Sequence, residues 1–371
     1  MIDRSIVYVV SHVEKSMALE WTAVRLAREY NLTFVLLNPK ESPFESFLEQ
    51  HHIQTRRFTL RSKVDFPFVF LRLFLFFLFQ RPSVVHVHLF EAQRLALPAA
   101  WLAGIRRRIY TRHTSTLHHV YQPSGIKYDR WSNFFSTHVI SISQATDHVL
   151  QRLEGVPADK ILQVHHGFDW VEFNKVTPER IRSVRGKWKI PDRSPIVGIV
   201  SRFIEWKGVQ FAIEGFANFL EKYPAACLVL ANAGGPYEKV IEGRLAGLPQ
   251  GTFVRIPFEE DVLGLYKVFD LLVHVPIDPH LEAFGQVYIE AMASGVPCVI
   301  TLSGIASDFV RDHQQAVIVP YKDSDAITDS LTELWENKEL RESIVSKARE
   351  SVVSQFGIDR MITSLKHLYD G

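Results

Sequence analysis

The chain has 371 residues, 47% of them hydrophobic, and nearly balanced charge, with 42 Lys and Arg against 41 Asp and Glu. This length allows two or three domains with buried cores, and the composition excludes a disordered, collagen-like or coiled-coil chain. Only two cysteines are present, Cys227 and Cys298, each within an apolar run, which excludes a disulfide scaffold and a cysteine-based zinc site. The first residues show no signal-peptide pattern, so we expect a cytoplasmic protein.

Apolar runs alternate with segments of helical periodicity through the first 160 residues. The predicted strands cover 5–10, 32–37, 84–88, 108–111 and 139–143, and the predicted helices cover 17–28, 43–50, 93–102 and 145–153. This alternation of β and α units predicts a parallel sheet that is covered by helices on both faces.

A basic segment rich in phenylalanine lies within this half. Eleven basic and two acidic residues fall from Arg56 to Arg112, and seven phenylalanines occupy residues 66–79. This run is shorter than the roughly 20 apolar residues that a membrane span needs. It is either an interfacial helix that brings segment 61–82 against an anionic membrane, or an ordinary buried helix. The cations within and beside the run are Arg61, Lys63, Arg72 and Arg81.

The second half repeats the alternation after a polar stretch. Residues 170–193 are polar and carry proline breakers, and we interpret them as the connection between two domains. The later predicted strands are 195–200, 226–231, 252–256, 271–275, 297–301 and 316–319, and the later predicted helices are 210–221, 237–246, 262–268, 285–293, 326–337, 339–354 and 359–369. Two doubly wound α/β domains in series are expected to bind their substrate at the carboxyl ends of the strands, in a central cleft.

The stretch that follows the predicted strand 271–275 combines two carboxylates with a helix start. Glu282 precedes a helix that begins near Gly285 and ends at Gly295, and Glu290 lies within it. Free backbone N–H groups at a helix start bind anions, and a glycine there allows a close approach of the ligand. The two carboxylates can reach different hydroxyl groups, so this pattern suits a ligand that carries both hydroxyls and phosphate.

A second group of charged residues follows the predicted strand 195–200. Arg202 supplies a bidentate fork and Lys207 a point charge, a combination that can hold a diphosphate without a metal ion. The Asp323-Ser324-Asp325 sequence imitates a metal-binding Asp-x-Asp motif, but it directly precedes a predicted helix, where Asp and Ser are common caps. We therefore predict no metal site and no cofactor beyond the substrate itself.

These two motifs resemble those of glycosyltransferase family 4, whose members have the GT-B fold, retain anomeric configuration and use nucleotide sugars. The motifs read Arg202…Lys207-Gly208 and Glu282-Ala-Phe-Gly-x4-Glu290-Ala-Met-Ala-x-Gly295-x-Pro297, and supporting similarity covers 85–88, 166–169, 228–236 and 266–271. The resemblance implies a GT-B protein with two Rossmann-like domains. It implies an acceptor-binding domain at 1–175, joined by a C-terminal helix at 357–371, and a donor-binding domain at 176–356.

The resemblance also implies roles for individual residues. Arg202 and Lys207 would hold the donor diphosphate and stabilise charge on the leaving nucleotide, Glu282 would hold the transferred sugar, and His113 would lie beside that sugar at the reaction centre. These four are the predicted catalytic residues. The other predicted donor-binding residues are Glu290 at the ribose, Arg255 and Phe258 at the base, and Ala283, Phe284, Gly285 and Gln286 around the sugar.

The chain departs from the family pattern at three places. The first loop has Lys15 and Ser16 where the family often has a glycine pair, and these two are the predicted acceptor-binding residues. His166 replaces the usual asparagine of the hinge motif. Segment 303–308 has lost one glycine and displaced its acidic residue, so the preferred donor is expected to differ.

The function expected from these residues is transfer of a hexose-type sugar from a nucleotide diphosphate sugar to a glycan or lipid-linked acceptor. The enzyme would act in the biosynthesis of a surface polysaccharide or glycolipid, in the cytoplasm or on the inner face of the membrane. Two alternatives are a non-catalytic sugar-nucleotide-binding subunit of a membrane glycan assembly, and a GT-B epimerase or phosphorylase. Nucleic acid is disfavoured as a partner, because the isoelectric point is only about 7.9.

Overall fold

The computed structural model describes residues 4–371, which form two compact units. The first unit takes in the chain up to Phe168 together with Phe356–Gly371, and the second comprises Asp169–Gln355. Each unit contains one parallel sheet, so the predicted class of two doubly wound α/β domains is confirmed. The central strands are buried along their whole length, as expected for sheets that are covered on both faces.

The first unit has seven parallel strands in the order β3-β2-β1-β4-β5-β6-β7. They are β1 (Ser5–Ser11), β2 (Asn31–Leu37), β3 (Gln54–Arg57), β4 (Val84–His88), β5 (Arg107–Arg112), β6 (His138–Ser141) and β7 (Ile161–Gln163). The order reverses direction between β1 and β4, which is the topological position where doubly wound sheets bind ligands. The sequence pattern did not predict the two edge strands, β3 and β7, because they are short and mostly exposed, with no alternating apolar residues.

Seven helices connect these strands. They are α1 (Met17–Leu26), α2 (Pro43–Gln50), α3 (Phe66–Gln80), α4 (Phe90–Leu102), α5 (Leu117–Val120), α6 (Ile126–Phe135) and α7 (Gln144–His148), which continues as a wider turn through Val149–Leu153. Helix α3 contains the phenylalanine-rich run, and one of its faces packs into the core through Val69, Leu73 and Phe77. No helix within residues 4–371 has the length and apolar character to cross a membrane.

The second unit has six parallel strands in the order β10-β9-β8-β11-β12-β13. They are β8 (Ile196–Val200), β9 (Cys227–Ala231), β10 (Phe253–Ile256), β11 (Leu271–His274), β12 (Cys298–Ile300) and β13 (Val317–Ile318). The helices are α8 (Trp170–Asn174), α9 (Pro178–Lys187), α10 (Val209–Lys222), α11 (Glu238–Leu245), α12 (Val262–Tyr266), α13 (Gln286–Ala293), α14 (Ala306–Phe309), α15 (Ser324–Glu336) and α16 (Lys338–Gln355).

The stretch 170–193, interpreted from the sequence as a connection, contains two helices of the second unit, α8 and α9. Pro178 was taken as a breaker, but it occupies the first turn of α9, where its missing N–H costs nothing and Thr177 caps the helix. Arg180 of α9 pairs with Asp261, which itself caps α12. The polar residues therefore belong to a surface helix rather than to a linker.

The C-terminal helix α17 (Ile358–Asp370) belongs to the first unit. Phe168 and Gly357 form a parallel bridge, and the Arg4 guanidinium donates to the carbonyl of Tyr369 at 2.8 Å. The Tyr369 hydroxyl is fully buried against the hydroxyl of Tyr8 and lies 2.6 Å from Nδ1 of His86. This helix therefore anchors the chain terminus to β1 and β4, the two strands at the centre of the sheet.

Candidate functional site

The second unit brings Lys207 and Glu282 into direct contact, although 75 residues separate them. Lys207 ends a short turn after β8 that is anchored by buried Trp206, and Glu282 lies in the loop after β11. The Lys207 ammonium donates to Oε2 of Glu282 at 2.5 Å. Burial alone would raise the pKa of Glu282. The charge of Lys207 opposes this rise, the nearby imidazole of His274 adds to that effect, and the pKa falls to about 2. Glu282 is therefore ionised at neutral pH.

His274, which the sequence interpretation did not include, is the third member of this cluster. It is the last residue of β11, it is 4% exposed, and its Nε2 lies 3.4 Å from Oε2 of Glu282. Burial lowers its pKa, so the imidazole is neutral at pH 7. The ring meets Tyr288 edge to face at 5.4 Å. A histidine at the carboxyl end of a strand, eight residues before a motif glutamate, was the only sequence signal for it.

We expect His274→Leu to weaken the binding of a sugar nucleotide by roughly tenfold, because a misplaced Glu282 no longer matches the sugar hydroxyls. Binding of the free nucleotide diphosphate should change less than twofold. Isothermal titration with both ligands measures the difference. His313→Leu is the matched control, since that histidine is exposed and pairs with Asp312 and Glu333 on another part of the unit. Equal losses for both ligands would contradict this positioning role.

Glu290 lies in the second turn of α13, where it accepts a hydrogen bond from the Tyr266 hydroxyl at 2.8 Å. Burial raises the pKa of Glu290 to about 7, since no cation within residues 4–371 offsets the loss of solvent there. The hydrogen bond from Tyr266 opposes that rise but does not cancel it. The two motif carboxylates thus differ in charge, because Glu282 faces a lysine and Glu290 faces a tyrosine.

The start of α13 follows a glycine that needs positive φ. Gly285 has φ of +91°, and a Cβ there would overlap the Tyr288 ring. Ala283 and Phe284 are buried, and Gln286 is partly exposed as the first helical residue. The carbonyl of Phe284 is within hydrogen-bond distance of the Tyr288 hydroxyl and accepts from the N–H of Ile305. Helix α13 thus begins one residue after the predicted start at Gly285. The backbone at Phe284 and Gly285 is fixed by packing on both sides.

The remaining predicted donor residues differ in how they are held. Arg202 is exposed just after β8, and its guanidinium has no carboxylate partner within residues 4–371. Arg255 is instead engaged by Glu238 and Glu242 of α11, and it covers the Phe203 ring at 5.4 Å. Phe258 is 56% exposed in the following loop. Arg202 and Phe258 are therefore accessible to a ligand, whereas the Arg255 fork is already occupied by carboxylates.

The neighbourhood of Lys207 depends on Gly208, which has φ of +72°. A Cβ at this position would overlap the carbonyl oxygen of Val275. We expect Gly208→Ala to lower the free energy of unfolding by about 3–5 kcal/mol, since the substitution adds backbone strain to a steric overlap. Thermal or urea unfolding of the purified protein measures this loss.

Gly243 is the matched control for that substitution. It is an exposed residue of α11, and a Cβ there would have nothing within 4 Å. Gly243→Ala should therefore stabilise the protein by about 0.5–1 kcal/mol, through helix propensity alone. A Gly208→Ala protein as stable as the wild type would show that this turn relaxes without cost.

The predicted catalytic His113 lies in the first unit, directly after β5. Its Nε2 is 3.0 Å from Nδ1 of His88, and its ring stacks on His166 with 5.5 Å between centroids. Burial lowers the pKa of His113 to about 4, so all of its contacts are those of a neutral imidazole at pH 7. The contact with His88 fixes the orientation of the His113 ring.

The predicted acceptor residues lie at the start of α1. Ser16 caps this helix by accepting from the N–H of Leu19 at 3.4 Å, and Lys15 is exposed beside it. Lys15 lines an open pocket of about 660 Å³ together with Glu20, Glu41, Ser42, Pro43, Ser46, Phe47 and Gln50. Ser16 therefore has a structural task, whereas Lys15 is available to a ligand.

The Asp323-Ser324-Asp325 sequence lies at a helix start, as expected. The carboxylate of Asp323 accepts from the N–H of Ala326 at 2.9 Å and caps α15. Within residues 4–371, no group of three or more His, Cys, Asp or Glu side chains has an arrangement that could hold a metal ion.

Comparison with solved structures defines the class of protein. The Anabaena protein HepE, solved in complex with UDP and glucose, is 20% identical and superposes with a TM-score of 0.85 over 99% of this chain and all of that one. WaaG, a glycosyltransferase of lipopolysaccharide biosynthesis, superposes with a TM-score of 0.73 over 99% of this chain. The two doubly wound sheets therefore have the GT-B fold that the resemblance implied.

Sequence comparison identifies the family. The family described as "Glycosyltransferase Family 4" matches residues 22–170, and "Glycosyl transferases group 1" matches residues 181–351. The capsular polysaccharide biosynthesis glycosyltransferase CapM of Staphylococcus aureus is 25% identical over 308 residues, which are 81% of this chain and 80% of CapM. The chain belongs to glycosyltransferase family 4, and it is a transferase enzyme.

Proposed function

We propose that the protein is a retaining glycosyltransferase that moves a hexose-type sugar from a nucleotide diphosphate sugar to a glycan or lipid-linked acceptor. The contact between Lys207 and Glu282 is the observation that carries this proposal. It joins a cation, which could bind phosphate, to an ionised carboxylate, which could accept hydrogen bonds from sugar hydroxyls. The solved HepE complexes contain UDP and UDP-glucose, and CapM acts in capsular polysaccharide biosynthesis. These relatives support a nucleotide-sugar donor and a surface-glycan product.

The donor would be held at the carboxyl ends of the strands of the second sheet. In this proposal Lys207 and exposed Arg202 bind the diphosphate, and Glu282 with the backbone at Gly285 binds the sugar. Glu290 binds the ribose hydroxyls. Because its pKa is raised to about 7, it accepts hydrogen bonds from these hydroxyls most strongly above pH 7, where the carboxylate is ionised. The exposed ring of Phe258 offers a stacking surface for the base.

The proposed reaction breaks the bond between the sugar C1 and the phosphate oxygen and forms a bond from C1 to the acceptor oxygen. The acceptor's proton passes to the departing phosphate on the same face of the sugar, so the configuration at C1 is retained. Positive charge develops on the sugar while negative charge grows on the leaving diphosphate. Arg202 and Lys207 stabilise that negative charge, and they do so without a metal ion or other cofactor.

His113 would act as a neutral hydrogen-bonding group beside the sugar rather than as a charged acid. Its low pKa and the fixed distance to His88 support this role, because the ring is oriented before the donor binds.

The proposal further includes location in the cytoplasm, on the inner face of the membrane, with peripheral contact through segment 61–82. The basic and phenylalanine-rich character of that segment supports it.

A panel of UDP-, GDP- and ADP-sugars, offered with and without a membrane lipid extract, tests the proposal. We expect the release of nucleotide from one donor only when the extract is present, and an unchanged anomeric configuration in the product by NMR. Donor binding without turnover would favour a non-catalytic subunit. Release or isomerisation without any acceptor would favour an epimerase or phosphorylase instead, and an inverted product would overturn the retaining mechanism.

A further inference from the structure

We propose that the outward faces of α3, α4 and α6 form one surface that docks on an anionic lipid bilayer. Helix α3 buries only one of its faces. The opposite face exposes Phe68, Leu71, Leu75, Leu78 and Phe79, with Phe79 79% exposed and Phe68 61% exposed. Exposed apolar groups in such a row are unusual for a surface helix and mark an interaction site.

Helices α4 and α6 extend this apolar face beyond the phenylalanine-rich segment. Helix α4 packs between α3 and α6, so the outward sides of the three helices adjoin one another. The exposed large side chains of the other two helices are Trp101, Leu102, Trp131 and Phe134. Phe135 joins them, because its ring contacts those of Trp101, Trp131 and Phe134. We refer to the outward faces of α3, α4 and α6 as the three-helix surface.

Cations are interleaved with these apolar side chains. Arg94 of α4 links the helices, since its guanidinium lies 4.9 Å from the ring centroid of Phe66 in α3 and 3.9 Å from that of Tyr128 in α6. The exposed cations on the three helices and at the ends of α3 are Arg61, Lys63, Arg72, Arg81, Lys127 and Arg130.

Acidic side chains are few on this surface and are mostly engaged. The acidic residues of segment 58–135 are Asp65, Glu91 and Asp129. Asp65 accepts hydrogen bonds from the backbone N–H groups of Arg61 and Ser62, and Asp129 is buried against Arg112. The three-helix surface is therefore apolar, aromatic and cationic at once.

This combination selects an anionic bilayer as the partner. Tryptophan and phenylalanine insert at the level of the headgroups, while arginine and lysine pair with anionic lipids. A second copy of this chain is disfavoured, because a twofold contact would place like cations against one another. The inference rests on the proposed function, in which the acceptor is lipid-linked, and it names the bilayer that carries the acceptor as the partner.

Flotation of the full chain with vesicles tests the surface independently of catalysis. Vesicles of phosphatidylcholine are compared with vesicles of equal parts phosphatidylcholine and phosphatidylglycerol. We expect flotation with the anionic vesicles only, and a loss of about tenfold in the bound fraction for each of two double variants, Phe68→Gln/Phe79→Gln in α3 and Trp131→Gln/Phe134→Gln in α6. The double variant Lys127→Gln/Arg130→Gln should lower binding to the anionic vesicles by about fivefold for each cation removed.

Two controls separate this surface from general effects and from the donor site. Val240→Gln/Val353→Gln removes side chains in the second unit that are each 42% exposed, and it should float like the wild type. Lys207→Ala should also float like the wild type while losing transfer, so failure of the proposed function is distinguishable from failure of docking. Circular dichroism spectra check that each variant is folded.

Three results would overturn the inference. One is equal flotation with neutral and anionic vesicles. Another is wild-type flotation of the α6 aromatic variant, which would confine any contact to α3. A third is a dimer in size-exclusion chromatography without lipid that the aromatic variants convert to monomer, because a second copy would then cover this surface.

Discussion

Lys207→Ala is expected to lower the rate of sugar transfer by roughly a thousandfold, the loss typical when a cation that stabilises a leaving phosphate is removed. Two effects add together. The ammonium no longer offsets the charge that develops on the diphosphate, and the carboxylate of Glu282 loses the partner that lies 2.5 Å away. Without that cation, burial raises the pKa of Glu282, so this carboxylate becomes a poorer acceptor for sugar hydroxyls.

Nucleotide release under saturating donor measures the effect of Lys207→Ala, and titration with the free nucleotide shows whether binding survives. Lys222→Ala is the matched control, because Lys222 ends α10 in the same unit and pairs with the exposed Glu336. That variant should keep wild-type activity. A Lys207→Ala enzyme within threefold of the wild type would remove this residue from the mechanism and would leave Arg202 as the remaining cation for the phosphate.

Glu290→Gln is expected to weaken donor binding by roughly a hundredfold at pH 8 and to remove its pH dependence. The pKa of Glu290 is about 7, so in the wild type the carboxylate forms as the pH rises through 7. An ionised carboxylate accepts hydrogen bonds from ribose hydroxyls more strongly than a neutral group does. Wild-type affinity for the donor should therefore increase from pH 6 to pH 8, while that of the variant stays level, as measured by titration across this range.

The same substitution is expected to stabilise the protein without ligand. The pKa of Glu290 in the folded state lies above its ordinary value near 4.5, so the folded protein holds this proton more tightly than the unfolded chain does. Stability from this group is complete below about pH 4.5, and it is lost as the pH rises from there to about 7. Glu290→Gln should thus raise the melting temperature by roughly a few degrees at pH 8 and leave it unchanged at pH 4.

A variant that lost affinity and melting temperature together at pH 8 would contradict this account of Glu290. It would show that the carboxylate stabilises the fold through Tyr266 and is not strained by burial. Glu333→Gln is the matched control, since this exposed glutamate of α15 pairs with His313 and lies outside the predicted donor residues. Its melting temperature and donor affinity should follow the wild type at both pH values.

Much of the fold could be predicted from local patterns in the chain. Strands of the core such as β1 and β8 contain continuous apolar runs, and α10 has a clear helical period, so their positions were predicted within one or two residues. The edge strands β3 and β7 were not predicted, because their mostly exposed residues carry no apolar pattern. The helices α8 and α9 were misread as a connection, because a polar surface helix and a linker have similar compositions.

The motif residues of the candidate site were found by the spacing of Arg202, Lys207, Glu282 and Glu290. That spacing could not reveal His274, which reaches Glu282 only because β11 ends beside the loop that carries the glutamate. It also could not show that Arg255 is engaged by two carboxylates of α11, since these pairs depend on how β10 and α11 pack. Side-chain partners across elements are set by packing, and packing has no signature in the local sequence.

The sequence by itself determined the α/β class, the division into two sheets and the family motifs, because these follow from hydrophobic periodicity and from residue types at fixed spacing. Only the tertiary structure decided the charges of the two motif carboxylates and the extent of the exposed apolar face. Glu282 and Glu290 are the same residue type, yet a lysine beside one and burial beside a tyrosine at the other separate their pKa values. Likewise the phenylalanines of α3 could be assigned to core or surface only after the helix was placed against the sheet, because each helix buries one face and exposes the other.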